Sequence, residues 1–149
     1  MPTNVDITKL KKRDIEPLLL MARVYYGDQE WLKTDYVKQL EKRALVQVSA
    51  LWDGRLVGGA IVVAAKAPNV WLAFMVVDKN VSRQGIGEQL FKAFEKDLES
   101  GTRLWHTLPD GAAFKPSQNF LQKMGLEKHG QLDNWYEKQG GLAFSKVIR

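Results

Sequence analysis

Met75-Val76-Val77-Asp78-Lys79-Asn80-Val81-Ser82-Arg83-Gln84-Gly85-Ile86-Gly87-Glu88-Gln89-Leu90 is an apolar run, a short polar loop and the start of a helix. The apolar run reaches back to Asn69, which is strand length, and being apolar at both parities it predicts a strand covered on both faces. Beyond the loop, Ile86, Leu90, Phe91, Phe94 and Leu98 recur on one side of a helix. Glu88, Lys92, Lys96 and Glu99 fall on the other side, and Gly101 is the expected stop. The first N–H groups of a helix lack internal partners. With the macrodipole they form an anion site. Gly85 and Gly87 let the backbone approach a phosphate without a Cβ in the way, and Arg83 adds a cation. This chemistry fits a pyrophosphate, although alone the two glycines fit a tight structural turn as well. The absence of G-x-x-x-x-G-K-S/T removes a P-loop. The absence of G-x-G-x-x-G removes an ordinary dinucleotide domain.

Toward the N-terminus, Asp53-Gly54 is the strongest hairpin signal in the chain, because a type I′ turn needs positive φ at both positions. It joins strands expected over 45–52 and 56–65. Val5 and Ile7 alternate with Asp6 and Thr8 as a short first strand. Asp14 is read as the cap of a helix with Ile15, Leu18, Leu19, Ala22, Tyr25 and Tyr26 on one face, ended by Gly27-Asp28. A second helix is expected from Glu30 to Arg43, with Trp31, Tyr36, Val37 and Leu40 inward. Toward the C-terminus come a strand over 104–108, a short helix from Ser117 to Met124 stopped by Gly125, and two strands within 126–148. Their turn is expected near Leu132-Asp133-Asn134. Strands mixed with helices at this spacing predict an α/β fold on a mixed sheet.

The 149 residues suit a single domain over 1–149, with no linker and no repeat. Hydrophobic residues at 45% and charged residues at 26% exclude a disordered or low-complexity chain. The absence of cysteine excludes disulfides, thiolate metal sites and cysteine nucleophiles. A net charge of +5 suits an anionic ligand without implying nucleic acid. The basic run Lys9, Lys11, Lys12, Arg13 reads as a solvated loop. No signal peptide is visible. The apolar stretch 56–77 approaches bilayer-spanning length but contains Lys66, Gly58-Gly59 and Pro68-Asn69, so it reads as two strands. These features lead to the expectation of a cytoplasmic protein with no membrane partner.

Three segments in order resemble the GNAT superfamily of acyl-CoA-dependent N-acyltransferases. Asp53-Gly54-Arg55-Leu56-Val57-Gly58-Gly59 is similar to its DG-x-x-VG hairpin. Val77 to Gly87 is similar to its pyrophosphate loop, Q/R-x-x-G-x-G/A, with Ser82 at the first position. Asn119-Phe120-Leu121-Gln122-Lys123-Met124-Gly125-Leu126 is similar to its late FY-x-K-x-GF helix end. The resemblance covers about residues 45–127. It departs at Leu121, where relatives carry a tyrosine that protonates the leaving thiolate, and at Phe114, near the place of a family asparagine.

The resemblance implies a mostly antiparallel sheet of six to seven strands with about four helices and splayed central strands. It implies acetyl-CoA as cosubstrate and transfer of its acetyl group to a primary amine by direct attack in a ternary complex. Backbone groups of Met75, Val76 and Val77 would bond the pantetheine arm. Those of Ser82, Arg83, Gln84, Gly85, Ile86, Gly87 and Glu88 would hold the pyrophosphate. No metal is implied. His106 is the leading candidate base, beside its reading as a packed strand histidine; Asp110 and Asp78 follow, and His129 reads as a surface residue. Tyr136, placed at the start of the last strand, and Ser117 are the candidate acids. Tyr25, Tyr26, Trp31 and Phe74, with Trp71 and Trp135, form either an aromatic acceptor pocket or core. Relatives commonly dimerise through C-terminal strands, so a homodimer is compatible. Two other readings compete: an acyl-CoA-binding module with little or no turnover, and, much more weakly, a nucleic-acid-binding domain. The acceptor would be a small-molecule or protein amine.

Overall fold

The computed structural model describes residues 5–81, 84–136 and 139–149. Asp53 and Gly54 both take positive φ, at 52° and 80°, and turn strand β2 (Ala44–Trp52) into β3 (Arg55–Ala64). Strand β1 (Val5–Lys9) pairs antiparallel along β2, with Val5 opposite Trp52. Strand β4 (Asn69–Val77) follows β3, then β5 (Arg103–Pro109), β6 (Glu127–Tyr136) and β7 (Gln139–Val147). The hydrogen-bonded order is β1-β2-β3-β4-β5-β7-β6. The sheet is mixed and mostly antiparallel, as expected. Its parallel ladder joins β4 to β5 over three pairs, from Asn69–Arg103 to Trp71–Trp105. The α-helices are α1 (Ile15–Tyr26), α2 (Thr34–Lys42), α3 (Ile86–Lys96) and α4 (Lys115–Lys123).

Two compact parts are distinguishable: one takes the chain up to Ala64 together with Leu72–Leu98, the other Ala65–Trp71 together with Glu99 onward. In the first, successive side chains of β3 point to opposite faces. A Cβ on Gly59 would lie 2.7 Å from Leu18 of α1, and one on Gly58 would lie 3.0 Å from Leu90 of α3. The sheet is therefore sandwiched, α1 on one face and α3 on the other. Leu18, Leu19, Ile61, Leu72, Leu90 and Phe94 are fully buried between these layers.

Several local expectations are corrected. Asp14 does not cap α1 with its side chain. Its Oδ2 accepts from Lys11 N at 2.9 Å and Ser49 Oγ at 3.2 Å, closing the preceding 3-10 turn instead. The helix expected over 30–43 is broken: Glu30–Leu32 is a 3-10 turn, Lys33 is extended, and α2 begins at Thr34. Thr34 Oγ1 donates to Glu16 Oε2, and Arg23 Nη2 to Leu32 O, both at 2.9 Å, tying this break to α1. The break turns Tyr36 outward, 51% exposed, while Val37 and Leu40 stay buried. β4 is not equally covered: Val70, Leu72, Phe74 and Val76 are buried, and the alternate residues are half-buried. α3 ends at Lys96, before Gly101, whose N–H is taken by Ile148 O at 2.7 Å.

In the second part, β7 lies between β5 and β6, pairing antiparallel with both. One face of this sheet buries Leu104, Leu108, Leu142 and Phe144. α4 lies on that side: Lys146, opposite Leu104, donates from Nζ to Met124 O at 2.9 Å. The strand β6 runs through Leu132-Asp133-Asn134, where a turn was expected, and continues to Tyr136. Its pairing with β7 is irregular between Leu132 and Tyr136.

Candidate active site

The loop at the start of α3 is built from backbone. Asp78 N donates to Val57 O at 2.7 Å, which fixes the end of β4. Asp78 Oδ1 accepts from Asn80 N at 2.9 Å, turning the chain through the 3-10 turn Lys79–Val81. The carboxylate of Asp78, a candidate base in the sequence, thus builds the loop. Ser82 and Arg83, both expected to hold pyrophosphate, lie outside the described residues. Gln84 is exposed. Gly85 is the N-cap of α3 at φ 80°, ψ 8°, a left-handed conformation that suits glycine, which brings no side chain of its own to cap the helix. The first helical bond of α3 runs from Gln89 N to Gly85 O at 3.1 Å. The N–H groups of Ile86 and Gly87 precede it, at the end of the helix that favours an anion. Ile86 is buried at 1% and anchors the turn. Glu88, the acid of this first turn, pairs with Lys92 at 3.0 Å. In β4, Met75 and Val77 are half-buried and Val76 is buried. All three lie beyond Trp71, the last β4 residue in the described ladder with β5.

The candidate catalytic side chains lie in the second part. His106 is half-buried in β5, opposite Phe144 and on the α4 side of the sheet. Ser117 is half-buried in the first turn of α4. Tyr136 is the last residue of β6, a correction to its expected place at the start of the final strand; the hairpin turn comes later than expected. Asp110 Oδ2 accepts from Gln131 Nε2 at 2.9 Å, and Asp110 N donates to Gly140 O at 3.1 Å. That carboxylate joins the end of β5 to the β6–β7 hairpin. Leu121, where a tyrosine was expected from relatives, is buried at 3%, and Phe114 at 6%. Gln118, one turn before Leu121, is buried at 8% and was missed by the sequence reading. Its signal was present: positions i and i+3 of a helix share a face.

The aromatic residues read as an acceptor pocket or core do not come together in one place. At the end of α1, Tyr25 and Tyr26 have ring centres 5.7 Å apart, and Tyr26 and Trp31 5.4 Å. Gln29 Nε2 donates to Tyr26 O at 2.9 Å and holds the intervening turn. In the second part, Trp71 and Trp135 have ring centres 6.5 Å apart. Phe74 joins neither: it is 4% exposed on the buried face of β4, as core. Among the described residues no group of three or more histidines and carboxylates is placed to hold a metal ion. No helix among them is long and apolar enough to cross a membrane.

No curated protein matches the sequence. Solved structures do match the fold. Ard1 from Thermoplasma volcanium superposes with a TM-score of 0.86 at 15% identity, covering 99% of each chain. The ribosomal-protein-S18-alanine N-acetyltransferase of Escherichia coli gives 0.75 at 18% identity, covering 97% of this chain and 94% of that one. The IAA acetyltransferase of Bacillus cereus gives 0.78 at 15% identity, covering 97% and 99%. At these identities the likeness is one of fold. The sequence profile of the acetyltransferase (GNAT) family matches residues 10–126. With most of its length matched by that profile, and its strand–glycine turn–helix segment inside the match, the chain belongs to the GNAT acetyltransferase family.

Proposed function

We propose that the protein transfers an acetyl group from acetyl-CoA to a primary amine, by direct attack in a ternary complex. The observation that carries this reading is the start of α3. A left-handed glycine at the N-cap, with the N–H groups of Ile86 and Gly87 ahead of the first helical bond, suits a pyrophosphate. Backbone groups of Gln84 through Glu88 would hold it, with Ser82 and Arg83 completing the loop. Met75, Val76 and Val77 would bond the pantetheine arm through their backbone. The cosubstrate supplies an activated acyl group.

In the transfer the amine nitrogen bonds to the acetyl carbon and the carbon–sulfur bond breaks. The amine must first be neutral, although a lysine-like amine has a pKa near about 10.4. His106, half-buried in β5, is the base we assign to its proton. Tyr136 or Ser117 would return a proton to the departing sulfur. Acetyl-CoA should raise the melting temperature by about 5–10 °C at 100 times its Kd, and adenosine diphosphate by much less. No shift at millimolar acetyl-CoA overturns the reading.

A second reading is favoured by Leu121, packed where relatives place a tyrosine, and by the lack of any acid between Val70 and Val77. On that reading the protein binds acyl-CoA with little turnover. Acetyl transfer to a panel of amines separates the two.

A further inference from the structure

Arg103 opens β5 and is half-buried. A half-buried arginine covers its stem and keeps its guanidinium in reach of solvent or a ligand. Among the described residues no carboxylate is paired with Arg103. Its Nη1 donates to Ser145 Oγ at 2.9 Å, and its guanidinium carbon lies 6.0 Å from the ring centre of Trp105. Neither neighbour is an anion. The surrounding side chains hold one another in place. Trp105 Nε1 donates to Asn69 Oδ1 at 2.9 Å, Ser145 Oγ is hydrogen-bonded to His129 Nε2, and the His129 ring centre lies 5.1 Å from that of Trp105.

These residues share the face of the sheet opposite α4. Arg103 and Trp105 are two apart on β5, and Trp71 is the register partner of Trp105. Trp135, 52% exposed, reaches Trp71 on this same face. The result is a rigid strip with a cation at one end and three indole rings beside it. A guanidinium carries five N–H donors in a planar fork that matches a carboxylate. One of them is used by Ser145. Trp105 turns its ring nitrogen into Asn69, and indole rings are mostly apolar surface.

We propose that Arg103 binds the carboxylate of a small ligand whose apolar body lies on Trp71, Trp105 and Trp135: an aryl or alkyl carboxylate. The Arg103 site does not depend on the acetyl-transfer reading above.

The test titrates the whole protein with 3-phenylpropionate and with uncharged 3-phenylpropanol, read by tryptophan fluorescence. The acid should bind about tenfold or more tightly than the alcohol, the scale of a charge-assisted hydrogen bond. R103Q should bring the two within about twofold of each other while binding the alcohol as before. Equal binding of acid and alcohol by the unaltered protein overturns the proposal, and that comparison decides even if R103Q fails to fold. Acetyl-CoA melting shifts run in parallel keep the two readings apart. An acid preference without a shift keeps the Arg103 site and overturns acetyl transfer. A shift without an acid preference does the reverse.

Discussion

Gly58 and Gly59 stand back to back in β3, and a methyl group on each would meet different matter. On Gly58 it would lie 2.8 Å from Val76 O and 3.4 Å from Val77 Cα, both backbone. On Gly59 the nearest atom is the tip of the Leu18 side chain, at 2.7 Å. Gly58→Ala should therefore push on the strand segment assigned to the pantetheine arm. It should cost about 1–3 kcal/mol of stability and weaken acetyl-CoA binding as well. Gly59→Ala should lose stability without that binding defect. Urea unfolding and acetyl-CoA titration of the two variants check the contrast. Leu121→Tyr makes a related point: the position is 3% exposed. Restoring the tyrosine of relatives should cost about 1–3 kcal/mol and leave kcat no higher, checked by melting and by acetyl transfer. At this scale the sequence was readable where backbone geometry allows few residues, as at Asp53-Gly54. It was less readable where one side chain has several partners within reach. Asp14 has the composition of a cap, but Ser49 of β2, distant in sequence, joins Lys11 in claiming its carboxylate.

The start of α3 separates stability from binding. Gln84 is exposed one residue before the N-cap. A negative charge there complements the helix dipole and should add about 0.3–1 kcal/mol of stability. It would also face any bound pyrophosphate. Gln84→Glu should raise the melting temperature of the free protein and weaken acetyl-CoA severalfold. If both rise together, the anion site is elsewhere. Elements set by their own residues were legible, and β4 matches its expected bounds from Asn69 to Val77. Elements set by neighbours were not. Nothing local to Lys33 demands the extended conformation that breaks the expected helix; the bonds from Thr34 and Arg23 to α1 and its connection do. Nor does the run Leu132-Asp133-Asn134 read as strand, since its pairing depends on β7, which arrives later in the chain. For the same reason the neighbours of Arg103 were hidden. Strand alternation alone puts Arg103 and Trp105 on one face, but Ser145 and His129 join them only through the order β5-β7-β6.

The whole chain carries a charge of +5, and acetyl-CoA is a polyanion. The screening length falls from about 10 Å at 0.1 M salt to about 3 Å at 1 M. Acetyl-CoA affinity should fall severalfold over that range, measured by titration at each salt concentration. Binding of 3-phenylpropanol, which is uncharged, should hardly change. The position of β7 has a consequence of a different kind. The ribosome delivers a chain in order, but β7, made after both of its neighbours, lies between them. Until Gln139–Val147 has emerged, β5 and β6 have no strand to join them, and Leu104 and Leu108 wait without Leu142 and Phe144. The first part can close early around α3 while the second remains open. A nascent chain halted shortly before its last strand would thus present half a finished protein and half an adhesive one, the form a chaperone would hold.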